Sequence, residues 1–157
     1  RLGAERIVVA GHRPARLELA RRLGATDVVA GHDQGEVVAR VRELTGGGPR
    51  HVLECVGAAS SMATAIAMCR DGGTVGYVGW PHGVTVDVGA QLYGRNVTLR
   101  GGVCPARAYM PELMADILAG RLDPSPVLDL TVPLQQIGRG YAAMDAREAI
   151  KVLVVPG

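Results

Sequence analysis

Apolar residues along this chain fall into two alternating rhythms. Short apolar runs of four to six residues are bounded by glycines, and between them lie stretches with apolar residues three and four apart. Ile7–Ala10 is the first run and stops at Gly11. Pro14–Leu23 follows, with Leu17, Leu19, Ala20 and Leu23 on a helical face, Pro14 at its start and Gly24 as its stop. Asp27–Ala30 is a second strand. Gln34–Leu44 is a helix carrying Val37, Val38, Val41 and Leu44, broken by Gly46-Gly47-Gly48-Pro49. His51–Val56 is a strand, Ser60–Cys69 a helix with Ser60 or Ser61 at its N-cap, and Thr74–Gly79 a strand. Val84–Val88 alternates and reads as a short strand, Gln91–Gly94 as a helical turn, and Asn96–Val103 as a fifth main strand.

Strands alternating with helices of about ten residues make β-α-β units and a parallel sheet. The strands are nearly continuous apolar runs, as a sheet covered on both faces requires. Right-handed crossovers then give an α/β doubly wound sheet. After Val103 the rhythm changes. A long helix starts at Pro105 or Pro111 and ends near Gly120. Leu128–Val132 is a strand, Leu134–Met144 a helix and Lys151–Val155 a last strand. The expected division is a nucleotide-binding unit over 1–103 and a second segment over 104–157, too small to hold a good core alone.

Composition narrows the function classes. Of 157 residues, 48% are hydrophobic and 3% aromatic, with no Phe, so the core rests on Val, Leu, Ala, Ile and Met. A net charge of +2 gives no footprint for nucleic acid or an acidic membrane, and no apolar run reaches the length of a membrane span. Arg1-Leu2-Gly3 reads as the last turn of a helix rather than a leader. Cys55, Cys69 and Cys104 are far apart with no metal-site spacing and read as small buried hydrophobes in a reducing cytoplasm. His32-Asp33 reads as a polar loop.

The chemistry is carried by Ile7–Arg13, IVVA followed by Gly11, His12 and Arg13. In a dinucleotide-binding sheet the second strand ends at the adenosine ribose. An Asp or Glu there bonds the 2′-hydroxyl of NAD, whereas an Arg accommodates the 2′-phosphate of NADP. This chain has the second arrangement. Gly11 leaves room for the phosphate, or merely ends a strand. Arg13 offers its planar fork to the oxygens, or is a solvated helix-start arginine. His12 adds a donor, or is only exposed. In such a sheet the first strand, with its G-x-G-x-x-G turn, is central, and here only six residues precede Ile7. The Ile7 and His51 strands then lack their common neighbour. Each backbone group so orphaned would cost about 1–3 kcal/mol, so the chain is expected to be part of a larger protein.

The segments RLGAERIVV, RPARLELARRLGATDVV, VLECVG, GGTVGYVG, LRGGVCPAR and AIKVLVVP occur in an order and spacing that resemble the C-terminal part of zinc-dependent medium-chain alcohol dehydrogenases. The resemblance covers essentially the whole chain. The Gly-His-Arg-Pro run is most similar to the Gly-Ser-Arg-Pro of their NADP-preferring secondary alcohol dehydrogenases. Those enzymes also place a Tyr after the next strand, where this chain has Gly31.

The resemblance implies hydride transfer between a nicotinamide and an alcohol, aldehyde or ketone. NADP is the expected cofactor, with NAD possible, and a catalytic zinc acts as Lewis acid. It places the zinc ligands in an N-terminal domain, so the chain alone is expected to hold no metal and to be inactive. Cys55 and Val56 are expected at the cofactor riboses, unless they are plain core residues. Val78 and Gly79 are expected at the nicotinamide carboxamide, with Gly102 and Cys104 on its other side. Lys151 matches a basic position near the cofactor phosphates or ribose, or is a surface lysine. The Trp80-Pro81-His82 loop is a further candidate for the substrate pocket. The resemblance also implies a cytoplasmic homodimer or homotetramer joined through the edge strand 96–103. The alternatives are a zinc-free reductase of the quinone-oxidoreductase type, and an inactive nucleotide-binding or oligomerisation module.

Overall fold

The computed structural model describes residues 3–157. The helical turn expected at Arg1-Leu2-Gly3 lies outside these residues except for Gly3, which belongs to no helix or strand. The chain divides into two compact units, the first over Ala4–Pro105 and the second over Ala106–Gly157 with Gly3.

The first unit runs β1 (Val8–Gly11), α1 (Pro14–Arg22), β2 (Asp27–Ala30), α2 (Gln34–Leu44), β3 (His51–Glu54), α3 (Ala59–Met68), β4 (Thr74–Tyr77) and β5 (Thr98–Gly101). β1 and β2 pair in parallel, with Val9 opposite Val28 and Gly11 opposite Ala30. β3, β4 and β5 form a second parallel sheet in that order. Among the described residues β1 and β3 have no ladder between them. The interruption falls where the doubly wound order places its central strand.

The helices begin and end for local reasons. α1 opens with Pro14 at its first position, where a missing N–H costs nothing, and closes on Arg21 and Arg22, which suit the negative end of the helix. α2 is capped by Asp33, whose Oδ1 accepts from the Glu36 amide at 2.8 Å. α3 differs from expectation. Its N-cap is Ala58, with no side-chain cap. Ser61 lies inside the helix and turns its hydroxyl to a buried carboxylate instead.

One face of each helix fills the core. Val52, Met62, Ala65, Ile66, Cys69, Val75 and Val97 form one buried cluster under α3. Val29, Val37 and Val41 form another under α2. Burying a side chain of this size contributes about 1.5–3 kcal/mol. The Val84–Val88 strand does not form. Val84 and Val86 pack against the α3 cluster while Thr85 and Asp87 face out. The alternation therefore records one buried face, without a neighbouring strand to ladder with. The helical turn expected next is present as Val88–Leu92 continuing into Tyr93–Arg95, with Asp87 accepting from the Ala90 amide at 3.0 Å.

The second unit holds α4 (Ala106–Leu118), β6 (Leu128–Pro133), α5 (Ile137–Asp145) and β7 (Lys151–Val155). α4 starts directly after Pro105 and carries Pro111 inside it. β6 and β7 are parallel, with a bulge between Leu128 and Leu130. α5 covers this pair closely at Gly140, where a Cβ would lie 2.9 Å from Val152. The Asp129 carboxylate accepts from the amides of Ile150 and Lys151 and fixes the start of β7.

Candidate cofactor site

Ligands of open α/β sheets bind beyond the carboxyl ends of the strands. Two such edges are built in the first unit, one from β1 and β2, the other from β3 and β4.

At the first edge β1 and β2 end side by side. The Gly31 amide donates to the Gly11 carbonyl at 3.1 Å, so His12 and His32 leave the sheet as neighbours. Their rings are 5.1 Å apart between centroids and tilted by 40°. Both side chains are exposed. Arg13 is half-buried, and its guanidinium has no hydrogen-bond or ion-pair partner among the described residues. A Cβ built on Gly11 would meet only Leu17, at an ordinary 3.4 Å. Packing alone does not demand glycine there. Gly31 is the opposite case, because a Cβ would sit 2.7 Å from the buried Val37 side chain. With Val37 buried where it stands, a side chain at Gly31 would require the valine to move. The sequence reads His32 with Asp33 as a polar loop and does not assign it to this edge. Only the parallel register of β1 with β2 brings it to His12.

At the second edge, among the described residues, no buried side-chain nitrogen or oxygen lacks a partner. Glu54, the last residue of β3, is 3% exposed. Its Oε1 accepts from the amides of Val56 at 2.8 Å and Gly57 at 2.9 Å and from the Ser61 hydroxyl at 2.7 Å. Its backbone oxygen accepts from the amides of Val78 at 2.9 Å and Gly79 at 3.4 Å. Burial pushes the carboxyl's pKa up, but the bonds from Gly57, Ser61 and Val56 outweigh it and hold the group below its ordinary value. Gly57 has φ +87°, and a Cβ on it would lie 2.1 Å from the Trp80 carbonyl oxygen. A Cβ on Gly79 would lie 2.3 Å from the Gly57 nitrogen. The two turns therefore touch backbone to backbone. The His82 amide donates to the Gly57 carbonyl at 3.1 Å, tying the Trp80-Pro81-His82 loop to the same turn.

The strands end earlier than their apolar runs, β3 at Glu54 and β4 at Tyr77. Cys55, Val56 and Val78 thus lie beyond the ladder. All three are exposed, Val56 at 72%, so they are not core residues. Cys104 is also exposed, past the end of β5, and only Cys69 is a buried hydrophobe as expected of all three cysteines. The Cys55 thiol is pushed up by local desolvation and then by the Glu54 carboxylate, both of which disfavour the thiolate. Gly102 lies beside β4, its amide donating to the Tyr77 carbonyl at 3.3 Å. Lys151 belongs to the second unit, where its side chain is exposed at the first residue of β7.

Glu54 was also missed from sequence. The signal was there, a lone acid inside VLECV, with a strand-end glycine and a serine following it.

Among the described residues no group of three or more His, Cys, Asp or Glu side chains is placed to hold a metal ion. The described residues do not supply a zinc site. Among the described residues no helix is long and apolar enough to cross a membrane.

Comparison with known proteins agrees with this geometry. The zinc-binding dehydrogenase family matches residues 1–119. Geraniol dehydrogenase of Castellaniella defragrans is 35% identical over 161 aligned positions, covering 98% of this chain and 42% of the relative. The NADP-dependent isopropanol dehydrogenase of Thermoanaerobacter brockii is 33% identical, covering 80% of this chain and 37% of its own length. Alcohol dehydrogenase TADH from Thermus sp. ATN1 superposes with a TM-score of 0.85 at 34% identity, covering 99% of this chain and 45% of that one. The chain spans less than half the length of each of these relatives. Its parallel sheets, its strand-end edges and these likenesses together place it in the zinc-binding dehydrogenase family.

Proposed function

We propose that this chain is the cofactor-binding part of an NADP-preferring alcohol dehydrogenase acting on a small alcohol and its aldehyde or ketone. The observation that carries the preference is the edge of β1. Gly11 stands where packing does not require glycine, and the half-buried Arg13 guanidinium has no partner among the described residues. A 2′-phosphate would supply the missing partner through a charge-assisted pair. His12 and His32 add ring N–H donors on the same side. No Asp or Glu follows β1 to receive a ribose hydroxyl.

When bound, the nicotinamide supplies the hydride acceptor or donor. The remaining work falls to side chains and backbone of this chain. Cys55, Val56, Val78 and Gly79 form the surface expected to receive the nicotinamide half, with Gly102 and Cys104 alongside. Val56 and Val78 offer apolar surface for a ring, and the Glu54-anchored turns hold that surface still. Lys151 is assigned to the cofactor phosphates or ribose. In the full-length protein NADPH is expected to bind about tenfold or more tightly than NADH by fluorescence titration. A charge-assisted hydrogen bond is worth about 1.5–3 kcal/mol, and about 1.4 kcal/mol is tenfold. Equal affinities would overturn the preference.

We also assign β5 to self-association. β5 is an edge strand, Val97 is buried and Leu99 half-buried, and no proline interrupts it. Val103, expected to continue the alternation, lies beyond its end and is exposed. Pairing about a two-fold axis would close such an edge into a dimer, alone or within a tetramer. Leu99→Pro removes a ladder donor and is expected to shift the full-length protein toward monomer or precipitate in light scattering. An unchanged soluble oligomer would exclude this interface.

A further inference from the structure

The buried carboxylate at the end of β3 is the most constrained polar group in the first unit. It lies on none of the expected cofactor contacts, yet it touches the turns that carry them. Through its side chain Glu54 holds the amides of Val56 and Gly57 and the Ser61 hydroxyl at the start of α3. Through its main chain it holds the amides of Val78 and Gly79. A Cβ on Gly79 would stand 2.7 Å from its Oε2. One residue therefore fixes both strand ends against each other and leaves Val56 and Val78 exposed.

Such a group has a cost that folding alone does not call for. A buried charge is expensive unless fully bonded, and an apolar residue would fill the same place without that penalty. What the carboxylate supplies and an apolar residue cannot is acceptance from three donor groups at fixed angles, which sets where two successive amides and a helix start lie. Neighbouring apolar positions, Val52 and Val75, already provide the packing.

We infer that Glu54 is the positioning residue for the nicotinamide half of the cofactor: its bonds to Val56, Gly57 and Ser61, and its main-chain bonds to Val78 and Gly79, hold the two turns in the spacing that receives that half. This rests on the reading of the chain as a dinucleotide site. Glu54 itself touches no cofactor. Its effect is confined to the β3–β4 edge and leaves the β1–β2 edge, with Arg13, as it is.

That separation gives the test. Adenosine 2′,5′-bisphosphate carries the adenosine half of NADP and no nicotinamide. In the full-length protein, NADPH and the bisphosphate are titrated against wild type, Glu54→Gln and Ser61→Ala. Glu54→Gln keeps one acceptor oxygen but turns an NH2 group toward the Gly57 amide, which now donates to Oε2 at 3.1 Å. It is expected to weaken NADPH about tenfold and leave the bisphosphate within about twofold. Ser61→Ala removes only the 2.7 Å bond and is expected to shift NADPH alone, by about two- to threefold. It serves as the deciding variant if Glu54→Gln does not fold. Equal weakening of both ligands, which a general loss of structure would give, overturns the inference, as does no weakening of either. Failure of the bisphosphate to bind wild type would instead overturn the NADP reading.

Discussion

The β1–β2 edge and the β3–β4 edge are the same structural feature, the carboxyl ends of paired parallel strands, and they are finished in opposite ways. At the first, His12, His32 and the Arg13 guanidinium carry donors that no described residue takes up. At the second, one carboxylate gathers two amides and a hydroxyl, and two glycines let the turns meet backbone to backbone. Hydrogen-bonding capacity already satisfied inside the fold fixes shape. Capacity left open at an edge is available to a ligand. A substitution at the second edge should therefore register in stability as well as in binding of the nicotinamide half, and one at the first in binding alone.

The largest expected effect is Gly57→Ala. The new methyl meets the Trp80 carbonyl at 2.1 Å in a left-handed backbone, and the turn cannot yield without breaking the Glu54 bonds. A loss of about 2–4 kcal/mol is expected in urea unfolding of the full-length protein. An unchanged midpoint would show that the second edge is not the rigid one.

A smaller effect comes from acid. The folded chain holds Glu54 below its ordinary 4.5. Its contribution is fully present above that value and is lost as pH falls through the lower, folded value. Thermal melting from pH 6 to pH 3.5 should therefore fall more steeply for wild type than for Glu54→Gln. Parallel slopes would mean that the carboxylate's bonds do not favour its charged form.

The two edges were unequally legible in the sequence. The start of α1 at Pro14 and the end of α2 before Gly46 follow from the sequence, because breakers act locally, whereas Asp33, read as loop, is the α2 cap. β1 with Gly11, His12 and Arg13 was readable for the same reason, since strand end and candidate ligand groups are contiguous. His32 was not, because its nearness to His12 depends on parallel pairing across twenty residues. Glu54 was hidden differently. Its partners at 56, 57 and 61 are close in sequence, but an apolar run reads as uniform core, and nothing in its periodicity marks where the ladder stops. The same limit turned Val84–Val88 into an expected strand. Alternation reports which side is buried and says nothing about whether a neighbour is present to pair.

The central claim is that the first edge acts in recognition and not in folding, and Arg13→Ala tests it most directly. In the full-length protein the KM for NADP is expected to rise about tenfold or more while that for NAD and the unfolding midpoint stay nearly unchanged, because the guanidinium has no partner among the described residues to lose. Equal losses for both cofactors, or a drop in stability with cofactor preference intact, would contradict it.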